Sequence, residues 1–317
     1  MPHTNTCQSR RVAAEVIMKS GFITIAGKPN SGKSTLTNAL VGEKVSIVSR
    51  KPQTTRNRVI GIVNGEKDGE KYQAVLVDTP GIHKPRNMLS EFMMKSVDVA
   101  LEGVDAVIYM LACDKRPDEH DDAYIQRFAK SRTPFILVIN KCDEVEEKSI
   151  IERIERYKDL DGIDAIIPIS ALRGKNVDML KDEIVKVLPE GEQFYSEDMY
   201  TDRSLRFLCT EIVREKALRL LGDEVPYGIG VAVNKFEERE DGVVEIDCDV
   251  ICEKQAHKAI VIGKGGEMIK KISTQARIDM EKLLDTKVFL TLYVRVKPDW
   301  RDSRAVMGEL GYDKKNL

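Results

Sequence analysis

The stretch Gly27–Thr35, GKPNSGKST, constrains this chain more than any other. It follows the apolar run Phe22–Ala26 and opens Lys33–Val41, whose pattern predicts a helix. A strand that turns through glycines into a helix forms a phosphate-binding loop, because backbone N–H groups can wrap the phosphate and the helix N-terminus adds positive potential. The predicted nucleotide-binding residues of this loop are Gly27, Lys28, Pro29, Asn30, Ser31, Gly32, Lys33, Ser34 and Thr35.

Apolar runs alternate with helical patterns as far as Leu188. The runs Ala106–Leu111 and Phe135–Ile139 are continuous, as is typical of strands covered on both faces. The alternation predicts an α/β fold, a doubly wound and mostly parallel sheet, for a nucleotide-binding domain over residues 20–188. Ligands of such sheets bind at the carboxyl ends of the strands, so we look for functional residues there.

Two polar motifs at strand ends would contact the phosphates and a metal ion. We expect Lys33 to reach the β- and γ-phosphates and the Ser34 hydroxyl to bind Mg²⁺. Asp78, with Thr79, Pro80 and Gly81, ends a predicted strand. Its carboxylate can hold Mg²⁺ through water, and the Gly81 N–H can sense a γ-phosphate. The loop 45–58 must supply a further threonine, Thr54 or Thr55, as a metal ligand, and we expect this loop to become ordered around the γ-phosphate.

The other strand ends carry a signature for guanine. Asp143 can accept hydrogen bonds from the N1–H and the 2-amino group of guanine, a donor pair that adenine lacks. Asn140 would brace the loop, and the Lys141 stem would cover the base. Ser170, Ala171 and Leu172 end the next strand, and the Ala171 N–H can meet the guanine oxygen. The order and placement of all these motifs predict a GTP- and GDP-binding protein.

One position departs from the common pattern of GTPases. Ile82 follows Gly81, where many GTPases keep a glutamine that orients the attacking water. An isoleucine cannot do this, so either hydrolysis is slow and needs help, or another side chain substitutes. The sequence leaves both alternatives open.

The pattern changes after Leu188. Pro189–Arg203 is acidic and aperiodic, which is typical of a linker. Residues 204–317 then follow the order helix, strand, strand, helix, glycine loop, helix, strand, which predicts a smaller α+β domain of the KH type. Its G-x-x-G loop would clamp single-stranded RNA. The predicted RNA-binding residues are Ile262, Gly263, Lys264, Gly265, Gly266, Lys270 and Lys271.

The net charge of the whole chain does not support RNA binding, but a local excess of basic residues does. The formal net charge of the chain is -2, so no overall basic field would recruit nucleic acid. Residues 254–301, however, hold eleven Lys and Arg against five Asp and Glu. A basic solvated face without a ligand is the plainer alternative. No uncharged apolar stretch is long enough for a membrane span, and residues 1–19, polar and with Arg10 and Arg11, are predicted to be a disordered leader.

These motifs together resemble the Era family of bacterial GTPases over both domains, from about residue 20 to the end. GKPNSGKSTLTNAL, DTPGIH, NKCD, LPEGEQFYSEDMYTDR and IVIGKGGEMIKKI carry the resemblance. It implies a GTPase that binds the 3′ end of small-subunit ribosomal RNA and assists assembly of the small ribosomal subunit. It also implies a cytoplasmic monomer with some peripheral association with the inner membrane.

The resemblance assigns further roles to single residues. Thr55 rather than Thr54 would be the second hydroxyl ligand of Mg²⁺. Asn30 would help to hold a monovalent cation, K⁺, beside the phosphates. The catalytic residues are then Lys33, Thr55, Gly81 and Asn30. Two other functions stay open at this point: a GTPase for RNA modification or protein targeting, and an RNA-binding protein that senses GTP without hydrolysing it.

Overall fold

The first part of the chain forms one sheet with helices against both faces. The computed structural model describes residues 18–314. The strands are β1 (Met18–Gly27), β2 (Val59–Lys67), β3 (Glu70–Asp78), β4 (Ala106–Ala112), β5 (Phe135–Asn140), β6 (Ala165–Pro168) and β7 (Glu190–Gly191). The helices are α1 (Lys33–Val41), α2 (Met88–Ala100), α3 (Glu119–Ala129), α4 (Glu147–Tyr157) and α5 (Val177–Val187).

The order of this sheet is β2-β3-β1-β4-β5-β6, and β7 pairs with the start of β1. Strands β3, β1, β4, β5 and β6 run parallel, whereas β2 is antiparallel to β3. Ile23 and Ile25 pack with α1 and α5 on one face of the sheet, and Ala26 packs with α3 on the other. The predicted doubly wound, mostly parallel sheet is therefore confirmed.

Strand β1 begins earlier than the sequence indicates. Met18 and Lys19, which were assigned to the disordered leader, pair antiparallel with Gly191 and Glu190. The apolar pattern could not reveal this, because the partner strand is only two residues long and lies more than 170 residues away along the chain. The rest of the predicted leader, residues 1–17, lies outside the described residues.

The predicted linker, residues 189–203, is attached to the first domain. The Ser20 N–H donates to Pro189 O at 2.9 Å, and the Ile62 N–H donates to Tyr200 O at 2.9 Å. The Gln73 side chain donates to Tyr195 O and accepts from the Tyr195 N–H. The segment is aperiodic because it runs along the sheet of the first domain as irregular chain. It is not a free connection between the two domains.

The second part of the chain is a separate α+β unit. Its elements are α6 (Leu205–Leu220), β8 (Gly230–Glu238), β9 (Val244–Cys252), α7 (Gln255–Ile262), α8 (Glu267–Leu284), β10 (Val288–Val296) and α9 (Arg304–Glu309). The sheet order is β10-β9-β8, with β10 parallel and β8 antiparallel to β9. Apolar residues of α6, α7 and α8 pack on one face of this sheet, which forms the second core.

Two features of this unit differ from the sequence pattern, which predicts a strand over Val225–Glu238 and an amphipathic helix over Leu205–Leu221. Val225–Gly228 is a 3-10 turn rather than the start of a strand, because Pro226 lacks the N–H that a strand ladder requires. Helix α6 is buried from Leu208 to Leu218 except for Thr210, and is not the expected amphipathic helix. Two of its buried charged side chains, Arg214 and Glu215, bond to the main chain of the loop 45–58 in the first domain.

The chain end, which had no predicted elements, joins the two domains. Trp300 is fully buried and packs with Leu310 and with Phe92 and Met93 of α2. Its indole N–H donates to Gly228 O at 2.8 Å, which satisfies the one polar group of the side chain. No helix within residues 18–314 is long and apolar enough to cross a membrane.

Candidate functional site

A cleft of about 790 Å³ lies at the carboxyl ends of the first sheet and is lined by the predicted phosphate-binding loop. Gly27 (φ 147°) and Gly32 (φ 100°) have backbone conformations that side chains rarely adopt. A Cβ at Gly32 would lie 2.1 Å from Asn140 Nδ2, so only glycine allows the base-binding loop to approach. The loop therefore presents its main chain to the cleft.

Lys33 is already buried at the base of this loop. Its ammonium donates to Gly27 O and Lys28 O, both at 3.0 Å. Burial lowers the pKa of Lys33 to about 8, and the nearby Asp78 carboxylate only partly opposes this effect. A phosphate in the loop would supply the negative charge that the buried ammonium lacks.

Three oxygen-bearing side chains meet where Mg²⁺ is expected. The hydroxyls of Ser34 and Thr55 are 2.8 Å apart, whereas the Thr54 hydroxyl turns away and donates to Lys51 O. The Asp78 carboxylate is fully buried, and neither of its oxygens has a well-formed hydrogen bond. Burial raises the pKa of Asp78, and Lys33 and the neighbouring hydroxyls oppose this rise. Buried oxygens without donors fit a hard cation.

The turn after Asp78 packs directly on the phosphate-binding loop. A Cβ at Gly81 would lie 2.6 Å from Pro29 Cα, and the Ile82 N–H donates to Gly27 O at 3.0 Å. The Thr79 hydroxyl donates to Ile25 O near the end of β1. This bond fixes the start of the turn, which continues through Pro80 to Gly81. Ile82 packs against the core of the first domain rather than reaching into the cleft.

Asn140 connects the base-binding end to the phosphate-binding end. Its amide nitrogen donates to Ser31 O at 2.8 Å, and its oxygen accepts the Ala171 N–H at 3.0 Å. The predicted brace is thus present, but the Ala171 N–H that the sequence assigns to the guanine oxygen is engaged by Asn140. If the Ala171 N–H also donates to the guanine oxygen, it must be shared between that oxygen and the Asn140 side chain.

The side chains around the expected base are more open. Lys141 (φ 67°) is held by an ion pair to Asp114 at 2.8 Å. Asp143 lines the cleft and lies 3.8 Å from the exposed Arg173. Leu172 is 68% exposed at the mouth of the cleft. An accessible carboxylate beside the exposed side chains of Leu172 and Arg173 is the arrangement that recognition of a base edge requires.

The glycine loop of the second domain is a separate, exposed site. Gly263, Gly265 and Gly266 all have positive φ, and a Cβ at either of the last two would meet open space. Lys264, Lys270 and Lys271 are exposed, and Ile262 is partly buried beside them. None of these residues lines the nucleotide cleft. The backbone of this turn is thus free for close approach by a nucleic-acid strand.

Sequence reasoning missed some residues of the cleft. Gln53, next to the candidate threonines, lines it together with Gly81. Leu218 and Arg219 line it from helix α6 of the second domain. Gln53 could have been found from its place in KPQTTR, whereas Leu218 and Arg219 reach the cleft only because of how the two domains meet.

Known proteins resemble this chain over both domains. A family model described as 50S ribosome-binding GTPase matches residues 22–141, and a KH-domain model matches residues 224–301. The chain is 48% identical to GTPase Era of Clostridium botulinum strain Okra over 298 residues, 94% of this chain and 99% of that protein. It is 45% identical to GTPase Era of Ruminiclostridium cellulolyticum over 93% of this chain and 97% of that protein.

The chain belongs to the Era family of GTPases. Two solved Era structures have a TM-score of 0.86 and 39% identity, and each covers 93% of this chain and 99% of the solved one. One is a tyrosine-to-alanine variant of Era from Aquifex aeolicus bound to GDP·AlF4⁻. The other is Era in complex with MgGDPNP and nucleotides 1506–1542 of 16S ribosomal RNA. The predicted family, and its fold of a P-loop GTPase domain followed by a KH domain, are confirmed.

The base-binding end generates a prediction about nucleotide choice. Asp143→Asn should weaken GTP binding by roughly a hundredfold or more, because the donor pair of guanine would lose one of its two acceptors and meet an N–H donor there. Xanthine offers a carbonyl in place of the 2-amino group, so the variant should bind xanthine nucleotides better than the parent does. Competition of GTP, XTP and ATP for a fluorescent nucleotide measures this, and equal affinity of the parent for ATP and GTP would contradict the assignment.

Proposed function

We propose that this protein hydrolyses GTP to GDP and phosphate, binds the single-stranded 3′ end of small-subunit ribosomal RNA and assists assembly of the small ribosomal subunit. The observation that carries the proposal is the presence of two complete and separate sites in one chain. The guanine-nucleotide motifs converge on one cleft, and an open G-x-x-G turn lies on the other domain. The solved Era complex with 16S ribosomal RNA supports the choice of RNA.

Two residues would contact the phosphates, and three would hold a metal ion beside them. Lys33 would contact both the β- and the γ-phosphate from the base of the loop. The N–H of Gly81, which packs closely on Pro29, would donate to the γ-phosphate. Ser34 and Thr55 would hold Mg²⁺, with Asp78 behind them. When bound, Mg²⁺ neutralises charge on the phosphates during transfer. These interactions position and stabilise rather than form covalent bonds, as phosphoryl transfer requires.

The description 50S ribosome-binding GTPase does not argue against the small subunit. That match covers residues 22–141, which lie in the nucleotide-binding domain, and leaves the RNA-binding turn outside it. We assign the GTPase domain to residues 20–188, preceded by the pairing of Met18 and Lys19, and the KH domain to residues 204–317. We place the protein in the cytoplasm as a monomer, with peripheral association with the inner membrane.

Asn30 generates a prediction about the cation. It has a positive φ of 64°, and its amide nitrogen donates to Arg50 O at 2.8 Å, which leaves the amide oxygen to bind K⁺ beside the phosphates. Single-turnover GTP hydrolysis should be faster in potassium than in sodium at equal ionic strength, and Asn30→Ala should remove the difference. A parent protein with no potassium effect would refute the cation site, and one with no hydrolysis would favour a protein that only senses GTP.

The glycine turn generates a prediction about RNA. Replacing Lys264 and Gly265 with aspartates places two negative charges against the RNA backbone and blocks its approach. RNA binding should fall by roughly a hundredfold or more at moderate salt, because repulsion replaces a phosphate contact. GTP affinity should be unchanged, because neither residue lines the cleft.

A matched control for the RNA variant exists on the first domain. Gly103 also has positive φ and open space around it, and Lys130 is exposed. Aspartates at these two positions make the same change in charge and in glycine content. Fluorescence anisotropy with a short RNA from the small-subunit 3′ end compares the variants, and equal loss in both would show a general charge effect rather than a binding turn.

A further inference from the structure

Ile82 stands where many GTPases keep the glutamine that orients the attacking water, and its partly buried side chain packs against the core of the first domain. A water beside the γ-phosphate therefore needs another hydrogen-bond acceptor. The loop that carries Thr55 forms the wall of the cleft near Gly81 and offers such an acceptor. Gln53 lines the cleft with Pro29, Asn30 and Gly81.

The backbone of Gln53 is unusual. Its φ of 60° lies in the left-handed region, which a glutamine enters only at a cost in free energy. Thr54 follows with its hydroxyl bonded back to Lys51 O, so the turn is tight. Such outliers concentrate at functional sites, where the surrounding structure holds them in place. Here the turn directs the side chain of residue 53 toward Gly81 and the residues that follow it.

A chain of hydrogen bonds fixes which end of the Gln53 amide is free. His83 Nδ1 lies 2.7 Å from Gly81 O, and a carbonyl oxygen only accepts, so Nδ1 carries the proton. In the neutral ring Nε2 is then an acceptor. It lies 3.3 Å from Gln53 Nε2, so the amide nitrogen donates to it. The amide oxygen of Gln53 is then the end of the amide that can accept a further hydrogen bond.

We propose that Gln53 is the catalytic residue that accepts a hydrogen bond from the attacking water, and that His83 is a positioning residue that sets the orientation of the Gln53 amide. The proposal rests on the proposed hydrolysis of GTP. Because Gln53 lies two residues from Thr55, the acceptor would reach its place only when the loop is ordered around the metal site. Isoleucine at position 82 is then no loss, because the glutamine comes from the other loop.

The test is single-turnover GTP hydrolysis by the full-length protein with Mg²⁺ and K⁺, beside the affinities for GDP and a GTP analogue. Gln53→Leu keeps the size of the side chain and removes the acceptor. The rate should fall roughly tenfold to a hundredfold, while nucleotide affinities change by less than about twofold, since only the water loses its partner. Gln126→Leu, the same change on an exposed position of α3, should leave the rate unaltered.

Two further variants separate catalysis from structure. Gln53→Gly suits the positive φ better than glutamine does, so a purely structural role predicts normal hydrolysis, whereas the proposal predicts the same loss as Gln53→Leu. His83→Phe should lower the rate less than Gln53→Leu. In the Gln53→Leu background it should lower the rate no further, because His83 acts only through Gln53.

Several results would overturn the proposal. These are unchanged hydrolysis in Gln53→Leu, normal hydrolysis in Gln53→Gly, a loss of nucleotide affinity equal to the loss of rate, or independent and multiplying effects of Gln53 and His83. Absence of hydrolysis in the parent protein would instead refute the proposed function itself, so the two failures are distinguishable.

Discussion

The loop 45–58 is held by hydrogen bonds from both domains, and much of the remaining structure depends on this arrangement. From the first domain, Ser34 contacts Thr55, and Asn30 donates to Arg50 O. From the second domain, side chains of α6 bond to the loop backbone: Arg219 donates to Val48 O, Glu215 accepts the Val48 N–H, and Arg214 donates to Thr54 O. The loop thus forms part of the nucleotide cleft and part of the domain interface.

These contacts explain why α6 buries charged residues. Arg214 is inaccessible to water, and Glu211, 8% exposed, pairs with it. Burial alone would raise the pKa of Glu215, but hydrogen bonds from Lys44 and the Val48 N–H lower it. Breaking such a buried pair by removing one partner costs about 3–5 kcal/mol. Lys44 also bonds to Asp279 of α8, the helix that starts at the glycine turn.

Much of the fold followed from local sequence because the decisive patterns are local. Apolar periodicity predicts helices over Glu119–Ala129, Val177–Val187 and Glu267–Leu284, and α3, α5 and α8 have these limits. The cleft residues were found because each motif ends a strand. The charge pattern of α6, the path of residues 189–203 and the burial of Trp300 were not predictable, because each depends on a surface from a distant part of the chain. Gln53 could have been found from its place in KPQTTR, but its contact with His83 could not, because the two residues lie thirty positions apart.

We expect the loop 45–58 to connect the bound nucleotide to the RNA-binding domain. A ligand shifts such a system only by its different affinity for the two states. The most direct measurement is the affinity of a short single-stranded RNA from the small-subunit 3′ end for the protein loaded with a GTP analogue and for the protein loaded with GDP. We expect tighter binding to the GTP-analogue form by about 5–150-fold, with RNA favouring GTP over GDP by the same factor. Identical RNA affinities in the two forms would contradict the claim and leave two independent sites in one chain.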